Sequence, residues 1–100
     1  VFRFNGPTRP KAHKYAAELM GVDTSQVADH EAGEVIAQAT IEIMKKTGMP
    51  NGLAAVGFNI DDVDALAEGT LPQHRVTKLS PRQASRDDLK QLFLDSMAFW

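Results

Sequence analysis

One hundred residues can form one hydrophobic core but not two, and 43% hydrophobic with 24% charged residues marks a globular rather than a disordered chain. A net charge of −2 gives no basic stripe for nucleic acid or an anionic membrane surface, and the lack of cysteine excludes disulfides and thiolate metal sites. No apolar run approaches the roughly 20 residues a membrane helix needs. No signal peptide is visible, and the opening Val1-Phe2-Arg3-Phe4 reads as the interior of a longer protein.

The pattern predicts four main helices. The first covers about residues 10–20, with Pro10 in the first turn and Gly21 as a left-handed stop. Ala12, Tyr15, Ala16, Leu19 and Met20 keep the spacing of one buried stripe. The second covers about residues 29–47, with Asp29 as cap, Glu31 at the positive end, Lys45 and Lys46 at the negative end, and Gly48-Met49-Pro50 as terminator. Ala32, Val35, Ile36, Ala39 and Ile43 form one apolar stripe; Ala37, Ile41 and Met44 form a second. A helix apolar on two sides is sandwiched, so this one is expected to be central and the most buried.

Leu53 to Val56 suits a single helical turn. The third main helix spans about residues 60–68, capped by Asn59 and stopped by Gly69, with Val63, Leu66 and Ala67 inward. The fourth spans about residues 86–99. Its start, Ser85-Arg86-Asp87-Asp88, is close to a capping box, and Leu89, Leu92, Phe93, Ser96 and Met97 share a face. No stretch alternates as a strand should; residues 76–79 come nearest and are too short to seed a sheet. The expected fold is a single all-α domain over residues 1–100, a bundle of about four helices.

Few residues suggest chemistry. His13, His30 and His74 have no i, i+4 partner, so no zinc or iron spacing is present. Gly52 and Gly57 have a P-loop's gap, but Phe58 and Asn59 follow in place of Lys and Ser/Thr. Asp61, Asp62 and Asp64 lack an EF-hand's alternation and terminal Glu, and suit a helix dipole. Arg9, Lys11 and Lys14 read as a solvated face. Residues 69–81 differ: Gln73, His74, Arg75 and Lys78 fall within six residues of a stretch stiffened by Pro72 and Pro81. A guanidinium is the natural fork for a carboxylate, so Arg75, with His74 and Lys78, is the candidate substrate-binding group; a solvated surface loop remains the alternative.

The whole chain resembles the C-terminal part of the iron-dependent alcohol dehydrogenase family, in particular its hydroxyacid–oxoacid transhydrogenase branch. The matching pieces are the Val1-Phe2-x-Phe4 start, Pro10 with His13, Ala17-Glu18, Gly21-Val22-Asp23, the run from Gly52 to Gly57, Asp64-Ala65-Leu66, residues 69–73, residues 75–79, and Ser85 with Asp88-Leu89. The resemblance implies an N-terminal dinucleotide-binding domain as partner, NAD(P), and iron or another divalent metal held by one Asp and three His. All of these ligands lie upstream, so it assigns no metal, cofactor or catalytic residue to this chain. It implies a parent oxidoreductase acting on an alcohol or a small hydroxy or oxo acid, with residues 69–81 near the substrate cleft and the isolated fragment inactive. The charge balance leaves no nucleic-acid or membrane partner expected, a homo-oligomer stays open, and the expected location is the cytoplasm of a bacterium or the mitochondrial matrix of a eukaryote. The rival reading is a non-catalytic helical interaction module; a second rival is an alcohol dehydrogenase with exchangeable cofactor and uncharged substrates.

Overall fold

Helix starts in this chain are set by local hydrogen bonds, and a computed structural model describing all residues 1–100 places them close to expectation. The fold is all-helical, without a strand: α1 (Phe2–Asn5), α2 (Pro10–Leu19), α3 (Ala32–Lys46), α4 (Val63–Thr70), α5 (His74–Thr77) and α6 (Arg86–Leu94). Single 3-10 turns occupy Asp29–Glu31, Ala54–Val56 and Ile60–Asp62. No helix is long and apolar enough to cross a membrane. By internal contacts the chain divides into two compact units, Val1–Thr47 and Gly48–Trp100.

In the Val1–Thr47 unit, α3 packs against α1 and α2. The α1 crossing rests on missing side chains. A Cβ on Gly6 would lie 2.6 Å from the Gly33 Cα, and one on Gly33 would lie 2.6 Å from the Phe2 carbonyl oxygen. Arg3 Nε donates to Glu34 Oε2 at 2.5 Å beside this crossing. α2 begins with Pro10 in its first turn and ends at Gly21 with φ +88°, as expected.

Both longer helices of this unit depart from expectation. In α2 the buried residue is Ala17, flanked by half-buried His13, Lys14 and Ala16, while Tyr15, Leu19 and Met20 are exposed, Leu19 to 72%. Small Ala17 allows close approach and the bulky residues are left outside, so the apolar stripe does not mark the packed face. Lys14 also turns out not to be simply solvated: its Nζ lies 2.6 Å from Asp29 Oδ1.

α3 carries the most buried residues of any helix, as expected, but Ala32, Gly33, Ile36, Ala37 and Ile41 form one continuous stripe where two separate ones were expected. Ile43, seven residues beyond Ile36 and on the same arc, is 48% exposed, because the burial does not extend to the last turns of α3. Asp29 is not the cap; it pairs with Lys14, and Glu31 Oε2 instead accepts from Ala28 N at 2.9 Å.

In the Gly48–Trp100 unit, α4 packs on α6 through buried Val63, Ala67 and Leu89. Lys90 Nζ meets Asp64 Oδ1 at 2.6 Å, and Arg86 pairs with Glu68. The caps are those expected. Asn59 Oδ1 accepts from Asp61 N at 2.8 Å. Ser85 Oγ accepts from Asp88 N at 3.1 Å, while Asp88 Oδ2 accepts from Ser85 N at 2.9 Å.

The helix ends in this unit differ. α4 runs through Gly69 to Thr70 and stops before Pro72, which cannot continue it. α6 ends at Leu94, five residues short of expectation, because Ser96 and Met97 turn their carbonyls to another segment. Leu53 N donates to Ser96 O at 2.9 Å and Ala54 N donates to Met97 O at 3.1 Å.

Candidate functional site

Pro72 ends α4 and the chain at once begins another helical turn. Val76 N and Thr77 N donate to Gln73 O at 2.8 and 3.0 Å, and Lys78 N donates to His74 O at 3.0 Å. Thr77 Oγ1 adds a bond to Gln73 O at 3.2 Å. The expected Pro-bounded loop is therefore partly helical, as α5, and residues 76–79 are no strand.

That turn gathers the three proposed donors. His74 and Lys78 are four apart and Arg75 and Lys78 three apart, so the three share one arc of the helix surface. All three side chains are exposed. Neither Arg75 nor Lys78 enters a salt bridge, unlike Arg3, Lys14, Arg86 and Lys90, each of which has a carboxylate partner in its own unit. Val76 (58%) and Leu79 (79%) are exposed beside them. α5 thus offers unpaired cations and apolar surface together, which suits a partly apolar acid better than an inorganic anion.

The electrostatics elsewhere are structural. Arg3, with help from Gln38, pulls the Glu34 carboxyl down to about 2. Lys14 lowers Asp29, Lys90 lowers Asp64, and the Ser85 backbone N–H lowers Asp88.

The histidines are dispersed. His13 Nδ1 donates to Arg9 O at 2.8 Å, and its ring meets Phe2 edge to face at 6.2 Å. His30 sits on a 3-10 turn and His74 opens α5. No three His, Asp or Glu side chains converge in a way that could hold a metal ion, so the residues of this chain do not fit an iron site by themselves. Asn51 has a structural role that no sequence motif assigned to it. Its side chain bonds the backbone of Phe99 and Trp100, and the Asn-Gly dipeptide was the available signal.

The chain is all-helical, with large apolar residues such as Leu19, Ile60 and Leu79 left exposed. Residues 1–97 match the model of the Fe-containing alcohol dehydrogenase family, C-terminal part, and the chain belongs to that family.

The curated relatives narrow the resemblance. The chain is 46% identical over all 100 residues to the probable mitochondrial hydroxyacid-oxoacid transhydrogenase of Dictyostelium discoideum, covering 18% of that protein. It is 42% identical to the mitochondrial hydroxyacid-oxoacid transhydrogenase of Xenopus laevis, covering 22% of it, and 41% identical to that of Homo sapiens, covering 21%. The chain spans about a fifth of the length of these relatives. Nothing in these relatives favours the non-catalytic interaction module.

Proposed function

We infer that this chain is the helical C-terminal part of an oxidoreductase that moves hydride between a small hydroxy acid and an oxo acid, and that α5 recognises the substrate carboxylate. The observation carrying the reading is 40–46% identity, over the whole chain, to proteins named for that reaction. The iron of the family and a nicotinamide dinucleotide would be held by the part of the protein preceding Val1. The mitochondrial names of the relatives support the matrix as location if the source is a eukaryote.

The role of this chain's own residues follows from charge and exposure. Arg75 supplies two parallel N–H donors to a carboxylate, and Lys78 and His74, on the same arc, add a second cation and a neutral or cationic donor. Because Arg75 has no internal carboxylate partner, binding an acid breaks no existing ion pair. In the full-length enzyme, Arg75→Ala should lower kcat/KM for hydroxy and oxo acids by about 30- to 700-fold, which corresponds to about 2–4 kcal/mol. A neutral primary alcohol should be affected little. Equal losses on both substrates would assign Arg75 a structural role, and no loss on either would make it a surface cation.

A further inference from the structure

One side chain seats residues 99–100 in the Gly48–Trp100 unit, next to Ser96 and Met97, whose carbonyls accept from Leu53 N and Ala54 N. Asn51 Oδ1 accepts from Phe99 N at 2.6 Å and from Trp100 N at 3.0 Å, and Asn51 Nδ2 donates to the Trp100 carbonyl. The next residue fits only as glycine: Gly52 has φ +76°, and a Cβ there would lie 2.5 Å from the carbonyl oxygens of both Ser96 and Met97. The dipeptide that closes this seat is Asn-Gly, the pair in which a backbone nitrogen reaches the preceding side-chain amide with least hindrance, because glycine has no Cβ.

We propose that Asn51 is a site of spontaneous deamidation, gated by the seating of residues 99–100, and that its conversion releases them irreversibly. The deprotonated Gly52 nitrogen attacks Asn51 Cγ and forms a new C–N bond. The Cγ–Nδ2 bond breaks, and ammonia leaves with the proton. The resulting succinimide takes up one water at either carbonyl and opens to aspartate or isoaspartate. No oxidant or cofactor is needed.

Seating opposes each part of this step. Gly52 N donates to Pro50 O at 2.9 Å, so its proton is held. Both ends of the Asn51 amide are bonded to residues 99–100, so Cγ cannot turn toward the Gly52 nitrogen. Once those bonds open, the amide swings free. The product cannot restore the whole seat: a carboxylate can still accept from Phe99 N and Trp100 N, but it has no N–H for the Trp100 carbonyl and places an anion beside that oxygen, so the two repel. Isoaspartate also lengthens the backbone next to Gly52, where the fit leaves no slack.

The chain contains its own comparison. Asn5-Gly6 is a second Asn-Gly, but Asn5 is buried at the end of α1 and Gly6 is helical, with φ −52° and its N–H on Phe2 O at 2.8 Å. Its shielding belongs to the Val1–Thr47 unit and owes nothing to residues 99–100.

The test incubates the full chain and a chain ending at Ala98 at mildly alkaline pH and reads conversion at Asn5 and Asn51 by tandem mass spectrometry. Asn51 should convert about tenfold faster or more in the shortened chain, with Asn5 unchanged. Equal rates at Asn51 would overturn the proposal. Acceleration at both asparagines would also count against it, since the fold as a whole would then be the shield. In a second arm, Asn51→Asp in the full chain should lose hydrogen-exchange protection at the Phe99 and Trp100 amides. Retained protection there would refute the release.

Discussion

The two units close their packing by different means. Val1–Thr47 brings helices together over small residues: Gly6 crosses Gly33 at backbone distance, and Ala17, Ala32 and Ala37 are buried. Gly48–Trp100 has one packed helix pair, α4 on α6, and holds its remaining residues with caps, turns and the Asn51 seat. The exposed cations of α5, Arg75 and Lys78, lie in the second unit, where helix packing is sparse. The difference teaches that a scaffold can be built by close approach in one region and leave polar groups available in another.

Two glycine substitutions test that contrast most severely. Gly52→Ala combines a positive φ with a Cβ 2.5 Å from backbone oxygens, and should destabilise the second unit by about 3–5 kcal/mol. Gly33→Ala, with a Cβ 2.6 Å from Phe2 O, should cost about 1–3 kcal/mol in the first. Residue-resolved hydrogen exchange should show each loss within its own unit. If either substitution loosens both units equally, the division between them fails.

Acid should reach the Arg3–Glu34 pair of the first unit. The folded Glu34 carboxyl sits near 2 against an ordinary 4.5, so its contribution is fully present above pH 4.5 and is lost as pH falls toward 2. Both side chains are about half exposed, so solvent screening limits the contribution to about 1 kcal/mol or less. Acid unfolding of Glu34→Gln should be correspondingly shallower across that window. A curve parallel to that of the unaltered chain would mean the pair adds nothing.

The smallest effect is expected at Gly69. It lies inside α4, and a Cβ added there would meet nothing within 4 Å, so Gly69→Ala should stabilise by about 0.5–1 kcal/mol in a thermal melt. A loss of stability would mean that Gly69 serves the junction with Pro72 in a way its helical backbone does not reveal.

Two helix starts were legible in the sequence because a cap is a local event: Asn59 and the Ser85–Asp88 box bond within three residues of themselves, whereas Asp29 is drawn to Lys14 of α2 and does not cap α3. Helix ends and faces were less so. The early end of α6 depends on Leu53 and Ala54, some forty residues away in sequence, and the inward face of α2 was chosen by the small size of Ala17 rather than by hydrophobicity. For the candidate site, composition pointed to His74, Arg75 and Lys78. The turn that puts them on one arc was not legible, because four residues carry too little periodicity to announce a helix.

Substrate discrimination reports on the proposed recognition of a carboxylate by α5. The measurement is the ratio of kcat/KM for a hydroxy acid to that for a neutral primary alcohol, in the full-length enzyme, with Arg75 unaltered and as Arg75→Ala and Arg75→Lys. The ratio should fall by about 30-fold or more in Arg75→Ala and recover in part with lysine, which keeps the charge but not the fork. An unchanged ratio in both variants would contradict the claim.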